Sequence, residues 1–373
     1  MRKSVLLLYL IIGTLSFSCA QDPENKVDNP SKVPFEPILL IDELQTPWGM
    51  AFLPDGSMLV TEKSGELIHF KDGVKNKITN VPEVYVRGQG GLLDVEVHPD
   101  YKNNGWVYLS FASEEGEEKG GNTALIRAKI EDNSLVNKEL LYKASPNTTK
   151  GQHFGSRIQF DNDGYLYLSI GERGARDENP QDITRDGGKI YRFFDDGTIP
   201  DDNPFVGTNG AKTAIYSYGH RNPQGLAMHP ETGAIWDNEH GPRGGDEINI
   251  IKAGANYGWP VVTYGINYSG TPITDKTEME GMTQPFHYWV PSIAPSGMTF
   301  VTSSKYGDWK GSILVGSLKF QYLERLIVEG NKVVKREKLL DGIGRVRDVK
   351  EGPNGMLYVA VEGKGIYKLN PKD

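Results

Sequence analysis

The chain has 373 residues, 38% of them hydrophobic, with 41 Lys plus Arg against 49 Asp plus Glu. A net charge of −8 favours solubility and speaks against nucleic acid as a partner, because phosphate binding needs a basic face. With one cysteine in the sequence, an intramolecular disulfide is excluded.

The N-terminus opens on Arg2 and Lys3, continues through an apolar run from Val5 to Leu15, and reaches Ser16, Phe17, Ser18 and Cys19. A basic start, a short apolar stretch and small residues before a cut form an export signal, here 1–19. The run is too short for an ordinary membrane-spanning helix, and no later segment is long and apolar enough either. Cys19 at the cut resembles the acylated cysteine of a bacterial lipoprotein signal, although Ser16 stands where such signals prefer leucine. The expectation is an exported protein, periplasmic or attached to the outer membrane through a lipidated Cys19. Residues 20–37, rich in Pro, Asn, Asp and Lys, read as a tether, and 38–373 as one folded body.

One theme then recurs six times: an apolar strand, a tight turn of Pro, Asp, Asn or Gly, and a second alternating strand. The copies run over Met50–Val60, Val95–Leu109, Ile158–Leu168, Gly225–Trp236, Met298–Val315 and Val349–Val359. Third strands follow at Gly65–Phe70, Lys189–Phe193 and Gly365–Leu369. Sheets of about four strands repeated radially make a propeller, so the fold class is all-β, a six-bladed β-propeller. Copies two to five are widely spaced, which suggests long loops between blades, gathered on one working face.

Five segments in or beside those insertions hold unusual chemistry. Gln89 lies among glycines in Arg87–Leu93, which suits either a ligand contact or a plain turn. His153, in Gly151–Arg157, is either a general base at the propeller mouth or a structural histidine. Arg221 and Asn222 sit in the dense Tyr218–Gly225 loop, where Arg221 has the fork geometry for a carboxylate or a polarised carbonyl. The run Glu239–Asn249, followed by Asn256–Pro260, offers the oxygen ligands that calcium prefers, or else a solvated acidic loop. Lys319, with Arg345 and Arg347 on one side of a strand, forms a cationic set suited to a small polyanion, or simply surface charge.

Together these segments resemble the soluble pyrroloquinoline-quinone glucose dehydrogenases and the related aldose sugar dehydrogenases, from Leu44 to Leu369. The most specific pieces are Gly219-His-Arg-Asn-Pro-Gln-Gly225, Asp246-Glu-Ile-Asn249 with Asn256-Tyr-Gly-Trp-Pro260, and Gly90-Gly-Leu-Leu93 with His98-Pro99. The resemblance implies that His153 is the base for the anomeric hydroxyl and that Gln89 neighbours cofactor and substrate. It implies that Arg221 and Asn222 contact the quinone, with Arg221 polarising the carbonyl that accepts hydride. Lys319, Arg345 and Arg347 match the cations that hold the cofactor's carboxylates. Gly241 and Pro242 match backbone ligands of the calcium that touches the quinone, and Glu247 and Tyr257 match ligands of a second, structural calcium. The partners implied are a sugar substrate and an electron acceptor that reoxidises the quinone. One departure is Gln152, where the glucose dehydrogenases place an aspartate before the catalytic histidine; its loss removes a charge beside His153. Two other functions fit a propeller: a calcium-dependent hydrolase or lactonase, and a non-enzymatic surface domain binding glycans or proteins. The first calls for carboxylates and amides at the axis, and the second leaves the Arg221 loop without a role.

Overall fold

The computed structural model describes residues 26–30 and 32–372, so the signal at 1–19 and Cys19 lie outside the described residues. The chain forms six antiparallel sheets arranged as a propeller. Blades 1 to 5 are consecutive in sequence, over 47–78, 92–143, 158–218, 223–289 and 295–339. The last blade is built from both ends of the chain. Its strands Val346–Glu351, Leu357–Val361 and Gly365–Pro371 are joined at the edge by Phe35–Asp42, antiparallel to Gly365–Pro371. Val27–Asp28 adds a short parallel pairing to Arg336 and Glu337 of blade 5. The stretch read as a tether therefore contains paired strand, and the N-terminal strand is what closes the ring.

The recurrent turns work through side-chain oxygens. Asp55 and Asp161 each turn Oδ1 onto the amide two residues on, at 3.0 Å in both cases, which is the Asx geometry that lets Asp and Asn lead tight turns. Apolar alternation then fills the spaces between blades. Between blades 1 and 2, for instance, Leu59, Leu67, Leu92, Val107, Leu109 and Ile126 form one buried cluster. The first strands of all six blades line the axis and touch their neighbours around the ring.

The axis itself is held by buried charge. Arg157 Nη1 lies 3.0 Å from Asp94 Oδ1 and 3.2 Å from Asp348 Oδ1, and its Nε donates to the Gln224 carbonyl at 3.0 Å. Asp94 also accepts from the Ile158 amide and Asp348 from the Met50 amide. One guanidinium and its two carboxylates thus tie together five blades. The inner strands leave room for it: a Cβ on Gly49 would lie 2.4 Å from Asp94 Oδ1, and one on Gly297 would lie 1.9 Å from Asp348 Oδ1. Both distances are far inside van der Waals contact, so the two glycines are required by the carboxylates.

The long insertions do not lie only between blades. Residues 171–188 separate the second and third strands of blade 3, and 251–286 separate the third and fourth strands of blade 4. Counting residues from one copy to the next cannot separate an insertion within a blade from one between blades. Among the described residues, no helix is long and apolar enough to cross a membrane.

Candidate active site

Two adjoining cavities open at one end of the axis, and His153–Gly155 stand between them. His153, Glu172, Arg221, Pro242, Trp259 and Tyr268 help to line the first. Gln89, Phe154, Gly155, Lys63, Arg345 and Arg347 help to line the second.

His153 is held at both its backbone and its ring. Its backbone sits at φ 56°, and its amide donates to Gln89 Oε1 at 2.7 Å. Gln89 is fixed in turn, because its own amide donates to the Gly151 carbonyl at 2.7 Å. Nδ1 of the imidazole makes a close hydrogen bond to the buried carboxylate of Glu172. Nδ1 therefore carries the proton, and Nε2 is the ring nitrogen left to accept one. Burial pushes the imidazole below its ordinary value; the Glu172 hydrogen bond opposes this and the charge of Arg221 adds to it. A neutral, oriented imidazole is what a general base needs.

Glu172 was not anticipated from the sequence. It is the second residue of the 171–188 insertion, separated by Gly171 from the strand Leu166–Ile170, and a charged residue at that junction is the signal that could have marked it. A carboxylate thus does reach His153, although from Glu172 and not from position 152. Gln152 also lines the first cavity, and its carbonyl accepts from Arg173, whose buried guanidinium stacks 3.4 Å over the Phe154 ring.

Arg221 turns its guanidinium onto the connections of blade 4. Its Nη1 donates to the carbonyls of His240 at 3.0 Å and Gly241 at 2.7 Å, and its guanidinium lies 5.3 Å over the Trp259 ring. Its amide donates to Glu239 Oε2 at 2.6 Å, so the buried Glu239 sets the bend of the 219–222 turn. Asn222 accepts from the Gly155 amide at 3.1 Å, while its buried Nδ2 finds no partner among the described residues. Gly241 donates its amide to Asp246 at 2.8 Å, and the Pro242 carbonyl accepts from the Ser292 hydroxyl at 3.2 Å. His240 is spent structurally, with Nε2 2.7 Å from the Pro295 carbonyl and burial pushing it down to about 3.

The family described as Glucose / Sorbosone dehydrogenase matches the chain over residues 44–368. The chain belongs to this family. This dehydrogenase is a sugar oxidoreductase, and its relatives agree over nearly full length. Aldose sugar dehydrogenase YliI from Escherichia coli is 43% identical over 345 residues, covering 90% of this chain and 92% of that protein. Quinoprotein glucose dehydrogenase B from Acinetobacter calcoaceticus is 28% identical, covering 89% of this chain and 86% of that protein. Among solved structures, the apo form of the Escherichia coli aldose sugar dehydrogenase superimposes with a TM-score of 0.87 at 41% identity, covering 90% of this chain and 99% of that one. The pyrroloquinoline-quinone-bound aldose sugar dehydrogenase from Streptomyces coelicolor gives 0.74 at 27% identity, covering 92% and 100%.

In the dehydrogenase the run from Glu239 to Asn249 is not a solvated loop. It leaves the end of the strand Ile235–Glu239, crosses a connection over 240–245 and enters the paired strand Asp246–Ile250. Asp237 faces Asn249 and Glu239 faces Glu247 across that pair. His220 Nδ1 lies 3.0 Å from Glu239 Oε1 and 3.7 Å from Asp237 Oδ2. Neither carboxylate oxygen of the fully buried Asp237 has a donor among the described residues, and neither has Oδ1 of Asn249. Burial, with Glu239 alongside, drives both Asp237 and Glu247 well above the usual carboxylate range. Buried acceptors without donors are costly, and this oxygen set has the chemistry of a hard-cation site. Tyr257 stacks on His220 at 4.5 Å and spends its hydroxyl on the Ile250 carbonyl at 2.6 Å.

Arg345 and Arg347 do reach the same side. Both engage Glu362, with the Nε of Arg345 at 2.6 Å and that of Arg347 at 3.0 Å. Lys319 stays exposed, its ammonium 5.0 Å over the Phe320 ring. It adjoins the pair through Leu318, whose carbonyl accepts from Arg345 at 3.1 Å.

Proposed function

We propose that the enzyme oxidises aldose sugars at C1 to the lactone with pyrroloquinoline quinone, His153 being the general base. One observation carries this reading: a neutral, carboxylate-anchored histidine faces the same cavity as Arg221, beside a second cavity lined by cations. Pyrroloquinoline quinone, when bound, supplies the two-electron acceptor for the C1 hydride. The protein does the rest by position and charge. Nε2 of His153 takes the proton of the anomeric hydroxyl while Glu172 steadies the imidazolium that results. Arg221 presents a fixed cation for the acceptor's carbonyl oxygen, a role that is effective in a dry, preorganised site. Arg345 and Arg347, with Lys319 at the rim, are the candidates for the cofactor's carboxylates, and Gln89 and Asn222 for its polar edge.

The quinone-side calcium would take the backbone carbonyls of Gly241 and Pro242. The structural calcium would be held by Glu247 and the Tyr257 backbone, in the acidic pocket of blade 4. Calcium is then expected to raise the thermal midpoint of the purified chain and a chelator to lower it. At a hundred times the dissociation constant the gain is about 2.7 kcal/mol. Glu247→Gln should remove the share of the response that belongs to the blade 4 pocket and leave the quinone-side share, and a chelator-insensitive midpoint in the native chain would refute both sites. The hydrolase alternative needs open carboxylates on the axis, and Asp94 and Asp348 there are spent on Arg157, as Glu96 is on Lys350. Export, with Cys19 as a lipid acceptor, is our reading of residues 1–19.

Reconstitution tests the main proposal. The purified chain, given pyrroloquinoline quinone and calcium, is expected to reduce a dye in the presence of aldoses. Failure to bind the quinone would overturn it.

A further inference from the structure

Lys63, Arg345 and Arg347 line the second cavity together with one carboxylate, Glu362. That carboxylate bridges the arginines: Oε2 accepts from Arg345 Nε at 2.6 Å, while Oε1 accepts from Arg347 through both Nε, at 3.0 Å, and Nη2. Glu362 therefore occupies the arginine edges best suited to a bidentate anion. Its surroundings allow it to leave. It follows the strand Leu357–Val361 and begins the turn to Gly365–Pro371. Its side chain is 18% exposed, so water is within reach of another rotamer. Next to it Gly363 sits at φ 71°.

We propose that Glu362 is an internal competitor for the two-arginine seat, admitting polycarboxylate ligands and turning away small anions. This rests on the reading that the arginines receive the cofactor's carboxylates. An incoming anion must replace a carboxylate that is already tethered and has a high effective concentration. A ligand with a single charge gains too little from one seat to do so. A ligand with several carboxylates also gains at Lys63 and at the rim, and so displaces Glu362.

The test uses the full cofactor-free chain as wild type, Glu362→Gln, Glu362→Ala and, as a control, Arg347→Met. Pyrroloquinoline quinone binding is followed by quenching of tryptophan fluorescence, and sulfate binding by protection against thermal unfolding. Both Glu362 variants are expected to bind the quinone about tenfold more tightly, a change worth about 1.4 kcal/mol, and to gain a sulfate protection that wild type lacks. Equal or weaker quinone binding by both variants overturns the proposal and leaves the quinone reading intact. If no form binds the quinone, that reading falls, and the sulfate arm decides this one: no difference between wild type and variants overturns it. Should the variants not fold, a crystal of the wild-type quinone complex serves instead. Glu362 still bridging both arginines there overturns the proposal, and Glu362 turned to solvent supports it.

Discussion

His153→Ala is expected to lower kcat for aldose oxidation by about 10²–10⁴-fold, the usual worth of a positioned acid–base group. Binding of the quinone should change little, because the cationic set at Arg345 and Arg347 is untouched. The imidazole is oriented from three directions: Gln89 on its amide, Glu172 on Nδ1, and the strained backbone at position 153. The pH profile follows from its surroundings. Burial and the charge of Arg221 lower its affinity for protons, while Glu172 raises it. The neutral form accepts the proton, so kcat/KM should be flat through neutrality and fall only below the ordinary histidine value of 6.5. Glu172→Gln keeps an acceptor for Nδ1 but removes the charge, so the acid limb should move to lower pH while kcat drops. A purely structural Glu172 would lower the amount of active enzyme and leave the limb where it was. Full turnover in His153→Ala would remove the base assignment.

The largest effect on stability is expected at the axis. Arg157→Met leaves Asp94 and Asp348 buried without the guanidinium that pairs with them, and breaking such a cluster from one side costs about 3–5 kcal/mol. The loss should appear as a lower urea midpoint. The triple variant with Asp94→Asn and Asp348→Asn should recover part of it, because the uncompensated charges are then gone. The guanidinium lies 4.3 Å over the Trp48 ring, and both Trp48 and Gln224 line the second cavity. Weaker quinone binding is therefore expected alongside the lost stability. A change below about 1 kcal/mol, the size of an exposed ion pair, would mean that the axis is wet.

The blade count was legible because each hairpin is local: the strand–turn–strand signal needs only neighbouring residues. The closing role of Phe35–Asp42 was not, since its partner Gly365–Pro371 lies at the other end of the chain and nothing local names that partner; its start, at 35–37, fell within the stretch read as a tether. The same division runs through the site. His153, Arg221, Asn222, Arg345 and Arg347 stood out because their segments resemble a known family and are dense in chemistry. Glu172, Asp94 and Glu362 are single acids in ordinary surroundings, and only packing against a distant histidine or arginine gives them a role. The acidic stretch at 239–249 carried two meanings, ligand set or solvated loop, until strand pairing buried Asp237 and Asn249 opposite one another.

By itself, then, the sequence determined the repeat, the all-β class, the acidic body and the segments in which the chemistry resides, because alternation and turn chemistry act over a few residues. Tertiary structure decided which blade receives the N-terminal strand and which carboxylate orients His153. It also decided that Arg157 lies between two acids at the axis and that Glu362 lies across the arginine pair. Those outcomes depend on ring closure, which brings residues far apart in the chain to within hydrogen-bonding distance and removes the water that would otherwise screen them.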